Sequence, residues 1–156
     1  MIQDLTEGII SLLRANLLDP LARSGKWIYP GAVRLDATMP RISIIHSGAA
    51  VVKTSLNATK VWAVYFDIFI YVRQGEKYHI CIPEGSDNCD DYAGGKLLDF
   101  YSDQIKILMD NLPANIPGVI DYPELVNSYI DYSLVEDKIL IKKMRYKILY
   151  MDNVSG

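Results

Sequence analysis

Two histidines, His46 and His79, and two cysteines, Cys81 and Cys89, are the residues of this chain best suited to metal or nucleophilic chemistry. His79 and Cys81 stand two apart, so on an extended strand both point the same way. Cys89 with Asp90, folding back, would complete a zinc-like set. A second Cys-x-x-Cys or a His pair is missing, and a small hydrophobe at Cys81 with a loop thiol at Cys89 needs fewer assumptions. A Cys81–Cys89 disulfide would close a short hairpin and is sterically reasonable, but a reducing cytosol disfavours it. The expectation is free cysteines without an essential role, no metal and no cofactor. Asp87, Asp90 and Asp91 look like a hard-cation cluster, yet they lack the spacing and glycine of a calcium loop. An acidic N-cap on a following helix accounts for Asp90 or Asp91. Gly94-Gly95-Lys96 lacks the strand-loop context of a phosphate loop. No nucleophile elbow is present, so these residue types point away from an enzyme.

The elements that would carry these residues are organised around residues 60–74, KVWAVYFDIFIYVRQ. Trp62, Val64, Phe66, Ile68, Ile70 and Val72 alternate with Val61, Ala63, Tyr65, Asp67, Phe69, Tyr71 and Arg73, which is the period of a strand. Aromatic and β-branched residues fill the run, and it contains neither Gly nor Pro. One face belongs to a core. The other, with Tyr65, Phe69 and Tyr71 beside Asp67, is more apolar than a monomer normally leaves in water, which predicts that another chain or segment covers it. In the last strand, predicted over 138–150, Lys143, Arg145 and Lys147 share a face. Beside the central strand they would meet Asp67 and the tyrosines, across the sheet or across a subunit boundary. Such a charge row is otherwise a solvated strand face.

The other elements follow from period and punctuation. Ile2, Leu5, Ile9, Leu12, Leu13 and Leu17 recur at helical spacing, and Asp19-Pro20 ends that helix. Trp27-Ile28-Tyr29 is an extended segment before the Pro30-Gly31 turn, and residues 41–46 form a short strand. Residues 78–82 extend the sheet. Leu97, Tyr101, Ile105, Leu108 and Leu112 stripe a second helix stopped by Pro113 and Pro117. From Leu125 the chain is again extended to Val135. The predicted architecture is α+β, a mainly antiparallel mixed sheet with two helices packed on one face. Residues 47–59, SGAAVVKTSLNAT, read as a flexible arm. Its small residues bury too little to hold it down, while Val51, Val52, Lys53 and Leu56 would contact a partner that orders it.

At 156 residues, with half of them hydrophobic and 22% charged, the chain has the composition of one ordinary folded domain. Its 16 basic and 19 acidic residues give a net charge of -3, which leaves no global footprint for nucleic acid. The acidic start MIQDLTEG is unlike a signal peptide, and no apolar run approaches the roughly 20 residues of a membrane span. The expectation is a soluble, cytosolic chain, with the sequons at Asn57 and Asn153 arising by chance.

The whole layout resembles the tail terminator (tail completion) proteins of long-tailed bacterial and archaeal viruses. The likeness rests on the amphipathic first helix, Ile28-Tyr29-Pro30-Gly31, the strand opened at Met39-Pro40-Arg41-Ile42, the aromatic strand ending Ile70-Tyr71-Val72-Arg73, and the closing helix and hairpin. It spans nearly the full chain; the 79–89 insertion and the many tyrosines depart from the family pattern. The resemblance implies a homo-oligomeric ring, usually a hexamer, that caps the tail tube protein and joins it to the head–tail connector protein. Genome DNA would pass through the lumen without sequence-specific binding. It implies no catalytic residues, no cofactor and no membrane, and a place in the virion neck after assembly in the host cytoplasm. The alternatives of other classes are a cellular ligand-binding or regulatory α+β domain, which needs a convergent pocket, and a metal-dependent enzyme, which needs clustered perturbed groups.

Overall fold

A computed structural model describes residues 2–34, 36–54 and 59–153. The chain runs α1 (Ile2–Asn16), β1 (Ile28–Pro30), β2 (Arg41–Thr54), β3 (Thr59–Arg73), β4 (Lys77–Cys81), β5 (Cys89–Ala93), α2 (Gly94–Asp110), α3 (Leu112–Asn115), β6 (Glu124–Asp131), a 3-10 turn (Val135–Asp137) and β7 (Ile139–Asn153). Five strands form the main sheet in the order β1-β2-β3-β7-β6. Only the β1–β2 pairing in it is parallel. This is the α+β, mainly antiparallel mixed sheet implied by the alternation, with the helices on its core face.

The central strand is where its pattern places it. Val64, Phe66, Ile68, Ile70 and Val72 are at most 1% exposed, and each such side chain contributes about 1.5–3 kcal/mol by leaving water. Slipping β3 by one residue would turn all five outward, so burial fixes the register. Against this face α1 sets Leu5, Ile9, Ile10 and Leu13, and α2 sets Leu97, Leu98, Tyr101, Ile105 and Met109. The Tyr101 hydroxyl donates to the Leu18 carbonyl at 3.1 Å, and burial pushes its pKa well above that of an ordinary phenol.

Four expectations are corrected. Residues 47–54 do not separate two strands; they are the second half of β2, paired with β3 as far as Thr54 opposite Lys60. Gly48, Ala49 and Ala50 have weak strand propensity, but β3 is a ready template, and tertiary pairing overrides propensity. β4 does not extend the main sheet: it pairs with β5 in a separate two-stranded sheet. Asp90 and Asp91 do not cap α2, because they lie in β5 opposite Ile80 and His79. The helix starts after Ala93, without a side-chain cap. Cys81 and Cys89 are not free: they are direct partners across that hairpin and are joined as a disulfide.

A clasp holds the crossing from α1 to β2. The Asp19 carboxylate accepts from the backbone N–H groups of Leu21 and Arg23 at 2.9 and 2.7 Å, and from Arg23 Nε and Nη2, each at 2.9 Å. The same guanidinium donates to the carbonyls of Thr38 and Pro40 at 3.0 and 2.7 Å and lies 5.6 Å from the Trp27 ring centroid. Burial works against the Asp19 charge, but the bonds from Arg23 and the two backbone N–H groups outweigh it and hold the carboxyl below 3.8.

One glycine is fixed by close approach. Gly118 has φ +94°, and a Cβ there would lie 2.5 Å from Cε2 of Tyr150. Gly118→Ala should therefore cost about 2 kcal/mol or more in urea unfolding. An unchanged midpoint would mean that Tyr150 yields freely.

Candidate subunit interface

The side of the sheet opposite the helices is built by register. Tyr65, Asp67, Phe69 and Tyr71 of β3 stand opposite Lys147, Arg145, Lys143 and Ile141 of β7. All seven residues expected at an interface thus share one face, and the charge row lies beside the central strand. Arg145 sits 5.4 Å from the Tyr65 ring centroid, and Lys143 sits 5.4 Å from that of Phe69. These are cation–π distances. Lys142 points to the helix side instead, where its ammonium is 3.4 Å from Asp99 of α2.

Asp67 is the buried charge of this face, 8% exposed. Arg145 Nε lies 3.8 Å from its Oδ1, and that oxygen finds no hydrogen-bond partner among the described residues. The pair is electrostatic without a hydrogen bond to that oxygen, and a buried polar atom in that condition is costly.

The face is not uniformly open. At one end Phe69 and Tyr71 pack with Val33, Met39, Leu134, Ile139 and Ile141 in a second, smaller cluster. A segment of the same chain therefore covers that end. Burial first, then the nearby Tyr29 and Asp131 charges, pushes the Tyr71 phenol above 10. Beside this end opens a recess of about 610 Å³ lined by Tyr29, Arg34, Asp36, Thr38 and Arg41. Tyr65, Lys147 and Arg145 lie outside that covered cluster.

Other residues join the face that sequence reasoning did not assign to it. β6 brings Asn127 opposite Arg145 and Tyr129 opposite Lys143, with the Tyr129 ring centroid 6.0 Å from the ammonium. The alternation of Asn127, Tyr129 and Asp131 carried that signal. β6 is also an edge of the sheet, and Tyr122 and Tyr132 flank it at 74% and 61% exposure.

At the other end β2 and β3 run on as a ribbon, with β7 paired along β3 as far as Asn153. Val51 stands opposite Trp62, and Val52 occupies the register shift before Lys53. They are 43% and 54% exposed. Lys53 pairs through its backbone with Val61; its side chain, and Leu56 altogether, lie outside the described residues.

No family model matches the sequence, and no curated protein matches it. Among solved structures, the chain is similar to one from the virion of a native gene transfer agent (GTA) particle, with a TM-score of 0.61 and 11% identity over 95% of each chain. That likeness is one of fold. Among the described residues no helix is long and apolar enough to cross a membrane.

Proposed function

We propose that this chain is a structural virion protein, a ring-forming tail terminator subunit of the neck. The observation that carries the reading is the fold shared end to end with a chain of a GTA virion, covering 95% of both chains. The ring, a hexamer, caps the tail tube protein and joins it to the head–tail connector protein, and DNA passes through its lumen. Its function is surface complementarity, not catalysis. Tyr65, Arg145 and Lys147 form the open part of the contact face, around the buried Asp67. Phe69, Tyr71 and Lys143 shape its inner end, and Val51 and Val52 dock the ribbon on a neighbour. It assembles in the host cytoplasm and resides in the virion.

Light scattering on the full chain, alone and mixed with tail tubes, tests this. A closed ring under at least one condition is expected, because some terminators assemble only on a tail end. A monomer under both would overturn the proposal.

A further inference from the structure

The β4–β5 hairpin carries chemistry that a ring subunit does not use. Its register puts His79 opposite Asp91 and Cys81 opposite Cys89, and residues two apart on a strand share a face, so all four lie together. With the two sulfurs joined as a disulfide, the ligand atoms of His79, Cys81 and Cys89 fall within 4.8 Å of one another, so the imidazole already stands beside both sulfurs. A carboxylate oxygen of Asp91 accepts from His79 Nδ1 at 2.9 Å. An ionised carboxylate can only accept, so Nδ1 is the donor in this contact and Nε2 is the nitrogen left to meet a ligand.

We propose that the reduced hairpin is a zinc(II) site, with His79 Nε2 and the thiolates of Cys81 and Cys89 as ligands and Asp91 holding the imidazole through Nδ1. Two thiolates and one imidazole with an open fourth position is an established zinc set, and a carboxylate behind a ligating histidine is its usual support. Tetrahedral zinc needs its two sulfurs about 3.8 Å apart, a spacing that rotation about the Cα–Cβ bonds of two directly opposed strand residues provides. The disulfide and the metal exclude each other. A dithiol reductant supplies two electrons and two protons, the S–S bond breaks to two thiols, and the reductant leaves as its own disulfide. Zinc then binds both sulfurs and releases the two thiol protons. Asp90 is not part of the set: it bonds the Lys96 ammonium at 2.6 Å.

Cobalt(II), titrated into the full chain after reduction by a phosphine, is the direct probe. One equivalent per chain should give the visible absorption of a tetrahedral cobalt–thiolate centre, and zinc should displace it. The oxidised protein and the Cys81→Ser/Cys89→Ser variant should give none. Asp91→Asn should keep the spectrum and bind about 10–100-fold more weakly. His79 is mostly exposed, so His79→Ala leaves folding undisturbed and should also weaken binding. The idea is overturned by a reduced, folded protein with no such spectrum. It is equally overturned by binding that survives in the double serine variant or is unaffected by His79→Ala.

Discussion

Replacing Arg23 with alanine should lower the free energy of unfolding by about 3 kcal/mol, which in a chain of this size is a fall of about 6–12 °C in Tm. The side chain does three things at once. It forks onto Asp19, ties the Thr38 and Pro40 carbonyls, and lies against Trp27. Removing it leaves a carboxylate with 7% exposure and two carbonyls short of a donor, and unpaired buried groups cost more than the bonds were worth. Arg23→Lys should recover only part of the loss, because a point charge cannot reproduce the fork. The effect also has a pH signature. Asp19 has a folded pKa below 3.8, so its contribution is fully present above that value and is lost as pH falls through the folded pKa. The stability gap between native protein and Arg23→Ala should therefore narrow in acid. A gap that stays constant from neutral pH down to acid would show that packing against Trp27, and not the ion pair, carries the effect.

What could be read from the sequence divides along physical lines. β3 and β7 were legible because one face of each is buried, and burial writes a period of two into the residues. α1 and α2 were legible through the same logic at 3.6. That Lys143, Arg145 and Lys147 would meet Asp67 and the tyrosines, across the sheet or across a subunit boundary, hung on whether β3 and β7 are neighbours; the register sets Asp67 opposite Arg145 and Tyr65 opposite Lys147 within the sheet. Features set by a distant partner could not be read. The second half of β2 is a strand only because β3 offers unpaired backbone beside it. The parallel seat of β1 joins segments far apart in the chain, at Ile28 and Ile42.

The hairpin of β4 and β5 was the largest misreading, for one reason with several consequences. Its strand signal was seen at Tyr78, Ile80 and Ile82, but its partner, CDDYA, is short and acidic and reads as a helix start. Once β5 is a strand, Asp90 and Asp91 cease to be caps, β4 has a partner outside the main sheet, and Cys81 faces Cys89. The disulfide follows from that register. The Asp19 clasp was invisible for a different reason: it depends on the loop at Thr38 and Pro40 returning beside the end of α1, which no local pattern records.

If the chain forms the proposed ring, charging the ribbon should abolish assembly without harming the fold. Val51 and Val52 are half exposed in the free chain, so Val51→Asp/Val52→Asp should change the unfolding free energy by no more than about 0.5 kcal/mol per site. In an assembled ring the same positions would be covered, and an unpaired carboxylate buried at a contact costs about 3 kcal/mol or more, weakening association by more than roughly 100-fold. Val51→Thr/Val52→Thr keeps the shape and the β-branched stiffness of both residues and adds only a hydroxyl that the edge of a contact can solvate. It should assemble nearly as the native chain does. Light scattering on the three proteins, with and without tail tubes, reads the difference, and circular dichroism confirms that each is folded. If the aspartate variant forms rings and completes tails like the native chain, the ribbon is an exposed strand end with no partner, and the contact must be sought on the face around Tyr65 and Arg145 instead.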